Sequence, residues 1–163
     1  SKKGGGKAKV KKMDTGSFPV ESVSWDDAAA FCEALSACPE EPADGRSYRL
    51  PTEAEWEYSC RGGLLSGAFH FGLQRTSVVG SYPANAFGLF DMHGNVWEWC
   101  ADWYDDYPAG PAADPIRADE GIERVFRGGS WSNSSGGCRS AYRYVHTPDV
   151  RGGNLGFRIA LVS

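Results

Sequence analysis

Phe87-Gly88-Leu89-Phe90-Asp91-Met92-His93-Gly94-Asn95-Val96-Trp97-Glu98-Trp99 is the stretch from which the fold can be read. Rigid aromatics stand there beside glycines and a few oxygen ligands. Indoles need burial, and glycine lets a backbone turn sharply around them. Arg127-Gly128-Gly129-Ser130-Trp131 carries the same mixture, and Asn154-Leu155-Gly156-Phe157-Arg158 closes the chain. Such blocks predict a packed domain built largely of loops.

Working outward, Val23 to Leu35 reads as a short helix. Ser24 is its N-cap, and Asp26 and Asp27 sit in the first turn, where the helix dipole favours acids. Ala28, Phe31, Cys32 and Leu35 fall at helical spacing and predict one apolar face, with Cys32 in the core. Ser36 to Ser47 is a polar loop with Pro39, Pro42 and Gly45. Tyr48-Arg49-Leu50 reads as a short strand. Pro51 then opens a second helix, Thr52 to Cys60, which Thr52 and Glu55 begin as a capping box. Trp56 belongs in the core, and Arg61-Gly62-Gly63 ends the helix. Val125-Phe126-Arg127 and the run from Gly156 to Leu161 have strand character and are expected to pair near the centre of a sheet. The pattern predicts an α+β domain with two short helices, a small antiparallel sheet and much irregular loop structure.

The chain has 163 residues, the length of one domain with a real core. Its net charge of -4 offers no general electrostatic case for nucleic acid as a partner. No apolar run is long enough to span a membrane, and no signal peptide is visible. Ser1 to Lys12 holds six lysines and three consecutive glycines, which reads as a solvated lead-in. The five cysteines are an odd number, and no Cys-x-x-Cys pair points to zinc.

Together with Arg49-Leu50-Pro51-Thr52-Glu53-Ala54-Glu55-Trp56-Glu57-Tyr58, the three blocks above resemble the formylglycine-generating enzyme (sulfatase-modifying factor) family. The likeness runs from about Phe18 to Ala160. It implies a C-type-lectin-like fold of the sulfatase-modifying-factor type over residues 18–163, after a flexible basic lead-in over 1–17. Family members carry strands and a short helix before the segment matching Phe18-Pro19-Val20. This chain does not, so it reads as a fragment or as a trimmed member lacking a sheet edge. The resemblance also implies a module of a larger multidomain protein.

Asp91, Gly94, Val96 and Glu98 lie within eight residues of a glycine-containing turn. Carboxylates and backbone carbonyls from one tight loop are how a hard cation such as Ca²⁺ is held. The other reading of the residues is a turn with Glu98 salt-bridged to an arginine. The resemblance implies one structural calcium, held by an Asp91 oxygen, the carbonyls of Gly94 and Val96 and the Glu98 carboxylate. The second calcium of some members needs a longer loop before Ser81, so that site is expected to be missing.

The family's enzymes bind copper(I) through two cysteines just past the Gly-Gly-Ser-Trp block. Soft thiolates suit copper(I). Here the matching stretch, Ser132 to Gly137, has no cysteine, and Cys138 falls outside the pair. The resemblance therefore implies a member without formylglycine-generating activity, a pseudoenzyme, and no copper is expected. An iron site of a related branch is not expected from His70, His93 and His146, which lack paired spacing; His93 reads as a surface residue. Ser130 is not in a nucleophile elbow and reads as a turn hydroxyl satisfying backbone groups. The partners that the family gives Cys60 and Cys32 are Ser140 and Ile159 here, so those disulfides cannot form. A Cys100–Cys138 bridge and buried free thiols remain alternatives.

Ser132 to Gly153 mixes small polar residues with tyrosines, as adaptable recognition loops do. Trp131, Ser132, Asn133, Ser135, Tyr142, Tyr144, His146, Arg151 and Asn154 are the candidate ligand-binding residues. The expected partner is a protein, peptide or glycan. Arg127, Arg139, Arg143 and Arg158 are expected to pair with Asp91, Glu98, Asp102 and Asp149. The face also resembles the variable region of proteins diversified by retroelements. Two further readings stand beside the binding module: an active oxidoreductase of this family, and a retroelement-diversified binding protein.

Overall fold

The computed structural model describes residues 15–39, 45–62, 72–107 and 120–162. The lead-in expected over 1–17 lies outside the described residues except for its last three, where the Phe18 N–H closes a turn onto the Thr15 carbonyl. Helix α1 spans Trp25–Ser36. Ser24 Oγ accepts from the Asp27 N–H and Asp27 returns the bond to Ser24, a complete capping box. The apolar face is narrower than expected. Ala28 and Cys32 are buried, whereas Phe31 is 50% exposed and forms a T-shaped pair with Phe157. A short helix at the rim of a sheet presents one row of side chains to the core, and residue 31 lies beside that row.

Strand β1, Ser47–Arg49, leads to helix α2, Glu53–Arg61. Thr52 caps α2 with Glu55 as its box partner, and Trp56 and Cys60 are buried. Strands β2 (Trp97–Trp103), β3 (Arg124–Arg127), β4 (Arg143–His146), β5 (Leu155–Phe157) and β6 (Ala160–Val162) follow. The main sheet has the order β4-β3-β2-β5, and β1 pairs with β6 in a separate antiparallel ribbon.

The main sheet is mixed rather than purely antiparallel. β5 runs parallel to β2, with Glu98 opposite Gly156. β4 and β5 occupy opposite edges, so residues 147–154 must carry the chain across between them. The two runs expected to pair with each other instead flank β2 on either side. The second run breaks at Arg158, whose side chain turns back to Glu98 and the Phe90 carbonyl, and its end joins the other sheet.

Alternation along β2 gives the sheet two different faces. Trp97 and Trp99 join Phe126, Leu155 and the α1 residues Ala28 and Cys32. Cys100 turns the other way and joins Val125, Met92 and the α2 residues Trp56 and Cys60. Among the described residues, no helix is long and apolar enough to cross a membrane.

Candidate functional site

The loop after β3 begins with two glycines at φ of 94° and 72°. A Cβ on Gly129 would lie 2.6 Å from Cys138 Sγ, so only glycine lets the two segments approach. This turn places Ser130, which is fully buried, at the centre of a small polar network. Ser130 donates from its N–H (3.0 Å) and its hydroxyl (2.6 Å) to Asn133 Oδ1. Asn154 Nδ2 donates to Ser130 Oγ at 3.3 Å and to Ser132 Oγ at 3.2 Å. The Ser130 hydroxyl therefore serves side chains, not the backbone groups expected from its turn position.

The structure brings most of the candidate ligand-binding residues together in two groups. Ser132, Asn133 and Asn154 share the Ser130 network, and Trp131 is tied to the same loops through its indole N–H to the Gly153 carbonyl (3.2 Å). Tyr142 and Tyr144 gather instead on Trp97, with ring centroids 6.0 and 5.9 Å away. Only the backbone links the groups here: the Trp97 main-chain N–H donates to the Asn154 carbonyl at 2.8 Å. Tyr144 also packs on Phe126, its register partner in β3, yet stays 51% exposed. Ser135 and His146 are exposed, Ser135 at the start of a short 3-10 turn. Arg151 reaches away from the rest and holds Asp27 through two bonds of 2.8 and 2.9 Å.

Of the expected arginine partners, only one pair forms as drawn: Arg158 grips both oxygens of Glu98 at 2.7 Å. Arg127 and Arg143 go instead to α2. Arg127, with no exposure, donates to Glu53 at 2.6 Å and also to Glu57 and the Ser140 carbonyl. Arg143 takes both Glu53 oxygens, at 2.5 and 2.8 Å, under the rings of Tyr104 and Tyr107. Arg139 holds the Gly136 carbonyl, and Asp102 accepts from the Glu53 N–H at 2.6 Å. Glu53 is the residue that sequence reasoning missed. Its place at a helix start explained it locally, and nothing nearby signalled partners 74 and 90 residues away.

Asp91 and Glu98 line a cavity of about 340 Å³ together with Asn95, Val96, Arg158 and apolar walls from Val20, Val79, Leu89, Phe90 and Phe157. Asp91 and Asn95 both adopt left-handed backbone, at φ of 59° and 66°, which gives the turn its shape. Asn95 was unassigned from sequence; it is buried and clamps Ser77 through its Oδ1 and Nδ2. Asp91 Oδ2 accepts from the Gly80 N–H and, at 3.4 Å, from Asn95. Glu98 also accepts from the Trp56 indole at 2.6 Å. The salt-bridged reading of Glu98 is thus realised, which leaves it about one of four lone-pair directions. Carboxylates and turn carbonyls are the donor types that suit calcium, but Arg158 already holds both Glu98 oxygens and Gly94 is not among the residues lining the cavity.

All five cysteines are free, so no Cys100–Cys138 bridge forms. Cys100 Sγ faces the Glu98 carbonyl and Cys138 Sγ faces the Ser130 carbonyl. Burial raises both thiols above their ordinary range. Burial, and then the Glu98 charge, push Cys60 up to about 12. His93 is not a surface histidine. It is half-buried, with Nδ1 2.8 Å from the Cys138 carbonyl and Nε2 3.6 Å from Cys60 Sγ. A carbonyl only accepts, so Nδ1 carries the proton and Nε2 faces the thiol.

Comparison with known proteins settles the lineage. The sulfatase-modifying factor enzyme 1-like domain matches residues 2–73 and 67–162. The chain belongs to that family. It is 37% identical over 174 residues to a formylglycine-generating enzyme of Streptomyces coelicolor, covering 87% of this chain and 52% of that protein. It is 36% identical to the inactive C-alpha-formylglycine-generating enzyme 2 of Bos taurus, covering 88% of this chain and 50% of that one. A serine/threonine-protein kinase pkn1 of Chlamydia pneumoniae is 35% identical over 87% of the chain, which covers only 24% of the kinase. Domains of this family therefore occur inside larger proteins, and the chain spans about half or less of these relatives. Among solved structures, Treponema denticola variable protein 1 superposes with a TM-score of 0.78 at 31% identity, over 91% of this chain and 73% of that one. Within the family, the fold is the C-type-lectin-like one expected.

Proposed function

We propose that this sulfatase-modifying-factor-type domain does not generate formylglycine and instead binds a protein, peptide or glycan through the face formed by residues 132–153. The observation that carries the reading is the chemistry of the loop after Gly128-Gly129-Ser130-Trp131. It offers hydroxyls and carboxamides, and its nearest thiol, Cys138, is fully buried against the Ser130 carbonyl. Hard neutral donors do not replace a pair of thiolates for copper(I). Similarity to an enzyme said to be inactive supports the reading, and similarity to formylglycine-generating enzymes supports the competing one. The test is a copper(I) titration against a chromophoric chelator, run beside conversion of a cysteine-containing sulfatase peptide. Neither copper uptake nor product is expected; tight copper binding with product would overturn the reading.

A structural calcium belongs to the same proposal, with Asp91, the carbonyls of Gly94 and Val96, and Glu98 as its holders. It would pin the turn that carries Asn95 and, through β2, Trp97. The second reading, a face diversified by a retroelement, is favoured by exposure. Of the residues that reading would vary, Ser132, Ser135, Gly136, Tyr144, His146, Arg151 and Gly153 are exposed, whereas Gly137, Tyr142 and Gly152 are half-buried. Likeness to a protein described as variable agrees with it. Val145 fits that reading less well, since it packs against the α2 side of the core. Residues 1–17 as a lead-in to a domain over 18–163 remains part of the proposal.

A further inference from the structure

Resting on the binding reading above, we propose that the outer edge of β4 takes an extended peptide as an added strand. The Tyr104 N–H donates to the Glu123 carbonyl at 2.8 Å, so residue 123 turns its peptide groups toward β2. These directions alternate along a strand, so Arg124 and Phe126 turn theirs toward β4. His146 lies opposite Arg124, and Tyr144 opposite Phe126. Those two residues of β4 bond inward to β3. Arg143 and Val145, between and before them, turn their N–H and C=O groups outward. Among the described residues, nothing hydrogen-bonds to these four outward groups.

Each other outer edge among the described residues offers one such residue at most. At β5 the Leu155 N–H is spent on the Gly152 carbonyl at 3.0 Å, which leaves Phe157. At β1 Ser36 Oγ accepts from the Tyr48 N–H at 2.7 Å. β6 turns out only Leu161, the register partner of Tyr48. β4 offers two residues about 7 Å apart, each with a donor and an acceptor. A peptide main chain repeats its own donor and acceptor at that spacing, and strand addition is how such an edge is satisfied. The added strand would run beside Tyr144, whose ring rests on Phe126 and Trp97 while half of the residue stays open to solvent. Alternate side chains of the peptide thus meet an aromatic surface. A second copy of this chain is the poorer occupant. Both copies would carry a net charge of -4, and exposed Asp105 stands at the start of β4, its carbonyl on Arg143 Nη1 at 3.2 Å.

The experiment selects binders of the full chain from a displayed library of random dodecapeptides and follows amide exchange by NMR. In the free chain the Arg143 and Val145 amides should exchange at least about tenfold faster than those of Tyr144 and His146. Bound peptide should slow Arg143 and Val145 by about tenfold or more, and should itself be protected at alternate amides. Methylating those peptide nitrogens should weaken binding about tenfold or more, a change that leaves the fold of the chain untouched. Peptide binding that leaves Arg143 and Val145 exchanging as before would overturn the edge and keep the binding reading. Protection of the same two amides in the chain alone, rising with its concentration, would put a second copy on the edge and overturn the peptide. Retention of neutral oligosaccharides on an array, with no peptide selected, would overturn the peptide class and keep the binding reading. Retention of neither would overturn both.

Discussion

Replacing Arg127 by Met tests the way α2 is anchored to the sheet. Arg127 has no solvent exposure and donates to Glu53, Glu57 and the Ser140 carbonyl. Breaking a buried ion pair costs about 3–5 kcal/mol when it strands a charge. Here the acids are not stranded. Glu53 keeps Arg143 on both oxygens, and Glu57 keeps Arg61 at 2.5 Å. Met also replaces most of the apolar length. The expected loss is therefore near the lower bound, about 3 kcal/mol, with the Ser140 carbonyl as the group left worst off. Glu53→Met should cost more, about 4–5 kcal/mol, because Arg127 then stays buried with Glu57 as its remaining acid and Arg143 loses its carboxylate. Urea unfolding followed by tryptophan fluorescence measures both, provided the slope is unchanged. In melting temperature the Arg127 change corresponds to about 6–12 °C for a domain of this size. A cost below about 1 kcal/mol for either variant, or a larger cost for Arg127→Met than for Glu53→Met, would refute the reasoning.

Three further outcomes are expected. If Asp91 and Glu98 hold calcium, a chelator lowers the melting temperature and Glu98→Ala abolishes the response; an unchanged curve with chelator would end the metal proposal. Asp27 and Glu55 are each held at about 2, chiefly by hydrogen bonds from Arg151 and Arg49 respectively. A lowered carboxylate stabilises above its unfolded value of about 4 and loses that contribution as pH falls through the folded value. Asp27→Asn with Glu55→Gln should therefore flatten the stability decline between about pH 5 and 2, modestly because both pairs are partly exposed, and an identical slope would contradict it. Cys38 is half-buried whereas the other four thiols are at most 3% exposed, so a maleimide should label one thiol in the native chain and five after denaturation. Rapid native labelling of more than one would show that the described packing around Cys60 and Cys138 is wrong.

The parts legible from sequence were those encoded within a few residues. Ser24 with Asp27 and Thr52 with Glu55 are capping boxes three residues long, and both helices begin where those residues stand. The absence of thiols between Ser132 and Gly137 is likewise a statement about residue types, and no packing can alter it. What needed the tertiary structure was every choice among distant equals. Several arginines and several acids could satisfy one another, and only the sheet order gave Glu98 to Arg158 and Glu53 to Arg127 and Arg143. The parallel pairing of β5, the break at Arg158 and the placing of half-buried His93 between Cys60 and the Cys138 carbonyl belong to the same class. The candidate face was readable as a list of residues, but its division was not. Asn133 and Asn154 meet because Ser130 is buried between their loops, and Tyr144 rests on Trp97 and Phe126 because β3 sets its register. Local hydrogen bonds are chosen by chain proximity, whereas long-range ones are chosen by which packing buries the indoles and leaves no charge unpaired.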